Sequence, residues 1–412
     1  MIALRPASRH AAEPARNRAD RRDAPRRDAP ARDEAPTSPS AGTFHYFCPC
    51  PRGLEAALAD ELRALGAHDI DPRPGGVGCR GDLKLAYRIN LEARLPSRVL
   101  LRLLDAACRN EHTLYRLCNA LAWEDWFDAR QTIRVDVVAQ RSPLRSLNFA
   151  TLRIKDAIVD RFRDQGGERP SVDTHHPDVR ISAFLTADRL QLYLDLSGEP
   201  LFKRGWRHSA ENRVAAPLKE NLAAGLLALS GWDARQPLLD PFCGSGTLVI
   251  EAAQILCDHA PGLNRRFGIE QLRLHDATLY DGLVTALRER ARQGIGKAPR
   301  GLIRASDLDP HAMRLTAENL QTLDAVDAQP GGDTPGVLLA NPPYNERVSI
   351  PVEHWRAIGA TLRERFGGWK VFLLTSDRGL PGQLGLREDR KTPLFNGAIE
   401  CRLFEFSMRQ RG

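Results

Sequence analysis

Three short segments carry residue types whose order and spacing could do chemistry. In the first, residues 238–253, an apolar run enters Asp240, the turn Pro241-Phe242-Cys243-Gly244-Ser245-Gly246-Thr247 follows, and a helical pattern starts at once. Two glycines there let the backbone approach a ligand closely at a strand's carboxyl end. The dinucleotide fingerprint is excluded because Val249 stands where its third glycine belongs, and the P-loop because the Gly-Lys-Ser/Thr ending is missing. An Asp directly before the turn suits a cationic or hydroxyl-bearing ligand better than a pyrophosphate.

The second segment is Ala305-Ser306-Asp307-Leu308-Asp309-Pro310, where a strand ends in acid and a helix starts after the proline. A carboxylate at that tip can take two hydroxyls of a ribose. The alternative is a cap for the next helix, which suits Asp309 better than Asp307. The third segment is Leu338-Leu339-Ala340-Asn341-Pro342-Pro343-Tyr344. Its two prolines fix an extended backbone and remove two donors, leaving carbonyl oxygens free to accept. The Asn341 oxygen and the Pro342 carbonyl could together grip an exocyclic amino group, drawing its hydrogens aside so that the nitrogen lone pair is less delocalised. Tyr344 offers a flat face on which a base can stack. Asn-Pro is also a common turn signal.

These segments need strands to present them, and the second half of the chain has the pattern for it. Strand-like stretches at 237–240, 302–307, 337–341, 370–376 and 400–407 alternate with helical ones, the rhythm of a doubly wound α/β sheet. An amphipathic helix over 217–229 precedes them and stops at Gly231, and a charged, largely helical insertion fills 258–300. The first half reads as an α+β module: helices over 53–62, 83–91 and 152–162, a turn at Gly75-Gly76-Val77-Gly78, and strands over 132–139, 179–185 and 190–196. His175-His176 falls on a loop without metal-ligand neighbours.

Length and charge bound the rest. The 412 residues suit two to three domains, and the net charge of +7 invites a nucleic-acid partner. Residues 1–43 hold nine Arg against six Asp and Glu, so nearly half of that charge sits in a tail with too few apolar residues to order itself. With 52 Arg and only 7 Lys, the basic excess is mainly compositional. No apolar run reaches the roughly 20 residues of a membrane-spanning helix. No signal or transit peptide is evident, and the eight Cys lack zinc-knuckle spacing. A metal-free cytoplasmic protein with reduced thiols and no membrane partner is expected.

Taken together, the three segments resemble the class I S-adenosylmethionine-dependent methyltransferases that act on amino groups of nucleobases. The resemblance assigns Asp240, Pro241, Gly244, Gly246, Thr247, Asp307, Asp309 and Asp324 to S-adenosyl-L-methionine, and Asn341, Pro342, Pro343 and Tyr344 to catalysis. Arg213-Val214-Ala215-Ala216-Pro217-Leu218-Lys219-Glu220-Asn221 and Ala260-Pro261-Gly262-Leu263 resemble features of the THUMP-containing branch. So do Pro51-Arg52-Gly53-Leu54-Glu55, Arg153-Ile154-Lys155-Asp156 and Asp195-Leu196-Ser197-Gly198 in the first half.

The similarity is strongest to the bacterial 23S ribosomal RNA guanine-N2 methyltransferases, in the N-terminal half of a larger bifunctional enzyme; no second methyltransferase domain is expected to follow. It implies a disordered tail at 1–43, a ferredoxin-like part at 44–84, a THUMP domain at 85–198 and a Rossmann-like methyltransferase domain at 199–412. The partner implied is 23S rRNA or its large-subunit precursor, with a guanine flipped out and its N2 methylated directly. Two departures stand out. Asn345 replaces the Gly that usually follows the tetrapeptide, and only 21 residues lie between Asn319 and Asn341, which trims the third strand around Asp324. The rivals are an N6-adenine methyltransferase on RNA or DNA and a catalytically silent RNA-binding or ribosome-assembly factor.

Overall fold

The computed structural model describes residues 33, 36–144, 146–206, 218–320, 334–343 and 350–410. Most of the tail, Arg213 to Pro217, Asp324, Tyr344 and Asn345 lie outside the described residues. Along Phe44–Pro49 (β1), Phe44, Tyr46 and Cys48 are buried while His45 and Phe47 are half-buried, the alternation of a strand with one face on a core. Next come α1 (Glu55–Ala64), β2 (His68–Arg73), β3 (Gly76–Gly81), α2 (Leu83–Glu92) and β4 (Leu100–Ala107). The Asp82 carboxylate starts α2 by accepting from the Leu85 N–H at 2.8 Å. The expected turn is narrower than its glycines suggest: Gly75, at φ +87°, supplies it, and Gly76 to Gly78 already belong to β3.

After α3 (Glu111–Asn119) follow β5 (Ile133–Ala139), α4 (Leu147–Gly166), β6 (Val179–Leu185) and β7 (Arg189–Asp195). All seven strands join one sheet in the order β2-β3-β1-β4-β7-β6-β5, antiparallel except for β5 beside β6. The pairing of β4 with β7 makes one continuous platform of the first half.

The second half contains α5 (Glu220–Ser230), β8 (Leu238–Asp240), α6 (Thr247–Leu256), α7 (Ala277–Lys297), β9 (Ile303–Ala305), α8 (Pro310–Leu320) and β10 (Val337–Ala340). It closes with α9 (Val352–Arg365), β11 (Lys370–Thr375), α10 (Leu380–Leu384), β12 (Arg390–Asn396) and β13 (Ile399–Ser407). The second sheet runs β12-β13-β11-β10-β8-β9, with β11, β10, β8 and β9 parallel and β13 antiparallel to both its neighbours. β9 lies on one side of β8 and β10 on the other, so the strand order switches at β8. That topology places the ligand-binding crevice of such sheets at the carboxyl ends of these three strands, where the three motifs fall. Among the described residues no strand lies beyond β9.

Two devices bind the halves together. The insertion after α6 packs back on the first half: the Gly262 N–H donates to Leu91 O at 2.9 Å, Ile269 N–H to Leu196 O at 2.9 Å and Arg273 N–H to Trp126 O at 2.9 Å. Gly262 is required there, since a Cβ would stand 2.5 Å from Asn90 O. The second device is ionic. Glu251 of α6, fully buried, accepts from Arg204 Nε at 3.0 Å and from Arg94 Nη1 at 3.3 Å. Arg94 Nη2 also donates to His259 O at 2.6 Å, and Glu61 takes the Arg94 and Leu95 N–H groups at 2.8 and 3.1 Å. The charges are thus paired and hydrogen-bonded, the condition for burying them.

Candidate active site

β8 delivers Asp240 to the crevice with 1% of its surface exposed. Its carboxylate accepts from the Phe242 N–H at 3.1 Å, which bends the chain into the glycine turn. Burial, with the nearby Asp307 charge adding to it, pushes the Asp240 carboxyl up to about 7. The turn is stitched to β9: Ser306 N–H donates to Asp240 O at 2.9 Å and Cys243 N–H to Ser306 O at 3.1 Å.

Gly244 and Gly246 sit at φ +54° and +86°, conformations that side chains resist, and Gly246 caps α6 directly before Thr247. A Cβ on Gly246 would meet Thr316 Cγ2 at 2.9 Å. From α8, Thr316 Oγ1 donates to Gly244 O at 2.9 Å and Asn319 Nδ2 to Ser245 O at 3.1 Å. These two buried polar residues fix the loop from behind. Sequence reasoning missed them, because nothing local relates a helix to a turn some seventy residues earlier.

Asp307, half-buried at the end of β9, accepts from the Gly244 N–H at 2.9 Å and from the Asp309 N–H at 3.0 Å, one bond to each oxygen. A carboxylate has roughly four acceptor positions, so about two remain for hydroxyls. Asp309 is exposed and accepts from the His311 N–H at 2.9 Å in the first turn of α8. Between them Leu308 is fully exposed, an apolar side chain held at the crevice mouth. It too escaped the sequence reading, where a lone Leu looks like core.

β10 is buried along its length and hands over to Asn341, buried Pro342 and exposed Pro343. Asn341 Oδ1 is buried and has no hydrogen-bond partner among the described residues. Leaving such an acceptor unmet costs about 1–3 kcal/mol, so the position invites a donor from a ligand. The structure thus brings Asp240, Gly244, Gly246, Thr247, Asp307 and Asn341 to the ends of three adjacent strands. No cluster of His, Cys, Asp or Glu among the described residues could hold a metal ion, and all eight cysteines are buried as free thiols.

Three family models match in succession: the RlmL ferredoxin-like domain over residues 45–100, the THUMP domain over 108–195, and the RMKL-like methyltransferase domain over 204–405. The chain belongs to the THUMP-containing class I methyltransferases of the RMKL-like family. Relatives in this family include the ribosomal RNA large subunit methyltransferases K/L of Syntrophotalea carbinolica, 41% identical over 389 residues, and of Methylococcus capsulatus, 40% identical over 387. Each match covers 89% of this chain but only 54% and 51% of those proteins, so the chain spans about half their length. Among solved structures, SMU.472, described as a candidate methyltransferase complexed with SAH, matches with a TM-score of 0.78 and 28% identity over 90% of this chain and 100% of that one. A Listeria monocytogenes protein described as a predicted N6-adenine-specific DNA methylase matches with a TM-score of 0.79 and 26% identity, covering 89% and 96%. A doubly wound methyltransferase half behind an α+β ferredoxin-like and THUMP half is the architecture the sequence motifs imply. No described helix is long and apolar enough to cross a membrane.

Proposed function

We propose that this chain transfers a methyl group from S-adenosyl-L-methionine to the exocyclic N2 amino group of a guanine in 23S rRNA or its large-subunit precursor, in the cytoplasm. The observation that carries the reading is the buried, unpartnered Asn341 Oδ1 beside Pro342 at the end of β10. When bound, the cofactor supplies an electrophilic methyl on a sulfonium.

The chain's own residues bind and orient. The spare acceptor positions of Asp307 suit the ribose hydroxyls, the Gly244–Thr247 turn lets the backbone close on the cofactor, and ionised Asp240 offers negative charge to its cationic end. Leu308 gives the adenine an apolar surface. Asn341 Oδ1 and the Pro342 carbonyl accept the two amino hydrogens of a flipped base, and Tyr344 is assigned to its flat face. These acceptors would orient the amino nitrogen toward the methyl donor, and rate would come from positioning and polarised acceptors. With the cofactor bound, the amino nitrogen would take its methyl as the sulfur–carbon bond breaks, and water would take the amino proton. No strong base is needed, because that proton becomes acidic once the nitrogen is methylated.

The names of the K/L relatives support ribosomal RNA as substrate, and the THUMP module supports a folded RNA. The Listeria protein's description favours a second reading, N6-methylation of adenine, since the same acceptor pair suits either amine. Replacing Asn341 tests the assignment. Asn341→Ala is expected to abolish turnover and leave cofactor affinity within about twofold, since it removes only the acceptor. Loss of cofactor binding would instead place Asn341 in the cofactor site. A native chain that binds no S-adenosylmethionine in a calorimeter would support the silent RNA-binding factor.

A further inference from the structure

A cavity of about 300 Å³ lies on the first sheet, remote in sequence from every methyltransferase motif. Strand alternation creates it. β1 sends Tyr46 and Cys48 into the core and leaves His45 and Phe47 on the opposite face. Register then places His45 beside Arg80, Phe47 beside Gly78, Gly78 beside Asp71, and Arg102 beside Tyr193. Because Gly78 has no side chain, a hollow remains next to the Phe47 ring, walled by Tyr193 with ring centroids 6.3 Å apart and planes at 42°.

The rim is charged and exchangeable. Arg80 faces Asp69 at 3.4 Å and Arg73 faces Asp71 at 2.6 Å, each of these side chains more than 40% exposed. Such surface pairs contribute little and give way readily to a ligand. The backbone is also bent toward the cavity: β2 carries a register shift between His68 and Asp71, and Asp69 within it has φ +49°. A bulge with a non-glycine residue in the left-handed region is a device that re-aims side chains, here a carboxylate that lines the cavity.

We propose that this cavity holds one unpaired nucleotide of the RNA, with its base against Phe47 and its phosphate against Arg80, while Arg102, held by Asp105 and His45, adds positive charge at the wall. Aromatic rings and guanidinium groups on an open antiparallel sheet are the chemistry that receives unstacked bases. The carboxylates of Asp69 and Asp71 can accept from a base's N–H groups, which a phosphate site alone would not need. The proposal rests on the RNA reading above and adds a second point of registration, on the first half of the chain, for a single-stranded stretch near the target.

The test uses the full chain and a fluorescein-labelled eight-nucleotide single-stranded RNA followed by anisotropy, a length within the usual site size of roughly 4–16 nucleotides. Phe47→Ala removes the stacking face. Gly78→Leu fills the hollow without backbone strain, since its Cβ would lie 3.7 Å from the nearest atom, at ordinary contact. Each variant is expected to weaken RNA binding roughly tenfold while leaving S-adenosylmethionine affinity unchanged. Binding within twofold of the native chain for both variants overturns the proposal while leaving the RNA reading intact. A native chain that binds no RNA overturns both. Displacement of the RNA by free guanosine monophosphate at submillimolar concentration makes this a mononucleotide pocket and likewise overturns the proposal.

Discussion

Asp240 offers a pH test of how the cofactor is held. Its carboxyl is shut away from water and sits near Asp307, so it titrates at about 7 in the folded chain instead of the ordinary 3.8. If a cofactor of positive charge requires the ionised form, binding must release a proton whenever the pH lies below about 7. The apparent Kd then scales as one plus the protonated-to-ionised ratio, rising about twofold at pH 7, about elevenfold at pH 6 and about a hundredfold at pH 5. The same shift acts on stability with a definite sign. A raised folded pKa means that the native state holds more protons than the unfolded one between about 3.8 and about 7. The ligand-free chain therefore loses stability as pH rises through that window, by at most about 4 kcal/mol from this group. Asp240→Asn removes both effects. Isothermal titration of S-adenosylmethionine across pH 5.5–8.5, in buffers of different ionisation enthalpy, counts the proton released. A native profile that is flat below pH 7, or an Asn variant that keeps the full slope, refutes the reasoning.

Three further outcomes follow from the same geometry. Gly246→Ala forces a Cβ to 2.9 Å from Thr316 at φ +86°, and is expected to cost about 1–3 kcal/mol in urea unfolding and to abolish measurable cofactor binding. Glu251→Ala leaves Arg94 and Arg204 as buried unpaired cations and should destabilise the fold by about 3–5 kcal/mol, read as a lowered urea midpoint. Leu308→Ala, at a fully exposed position, should leave the urea midpoint unchanged while weakening cofactor binding roughly fivefold by calorimetry; an unchanged affinity would remove Leu308 from the site.

The ends of β8 and β10 were legible because short apolar runs stop directly at Asp240 and Asn341, and a buried parallel strand has few other ways to end. β12 was not: Pro393 and the charges of Arg390 and Lys391 mark an edge strand, which only its pairing with β13 reveals. Phe44–Pro49 and Leu100–Ala107 escaped for different reasons, the first too short and the second too continuously apolar to separate strand from helix by period. The supports of the site, Thr316, Asn319 and the Glu251 network, are contacts between segments distant in sequence, and no local pattern encodes them.

The most direct test of the central claim is nucleoside mass spectrometry of 23S rRNA lacking this methylation, incubated with the purified chain and methyl-labelled S-adenosylmethionine. Label appearing as N2-methylguanosine, and disappearing with Asn341→Ala, is the predicted result. Label found only as N6-methyladenosine, or none at all with cofactor bound, would contradict it.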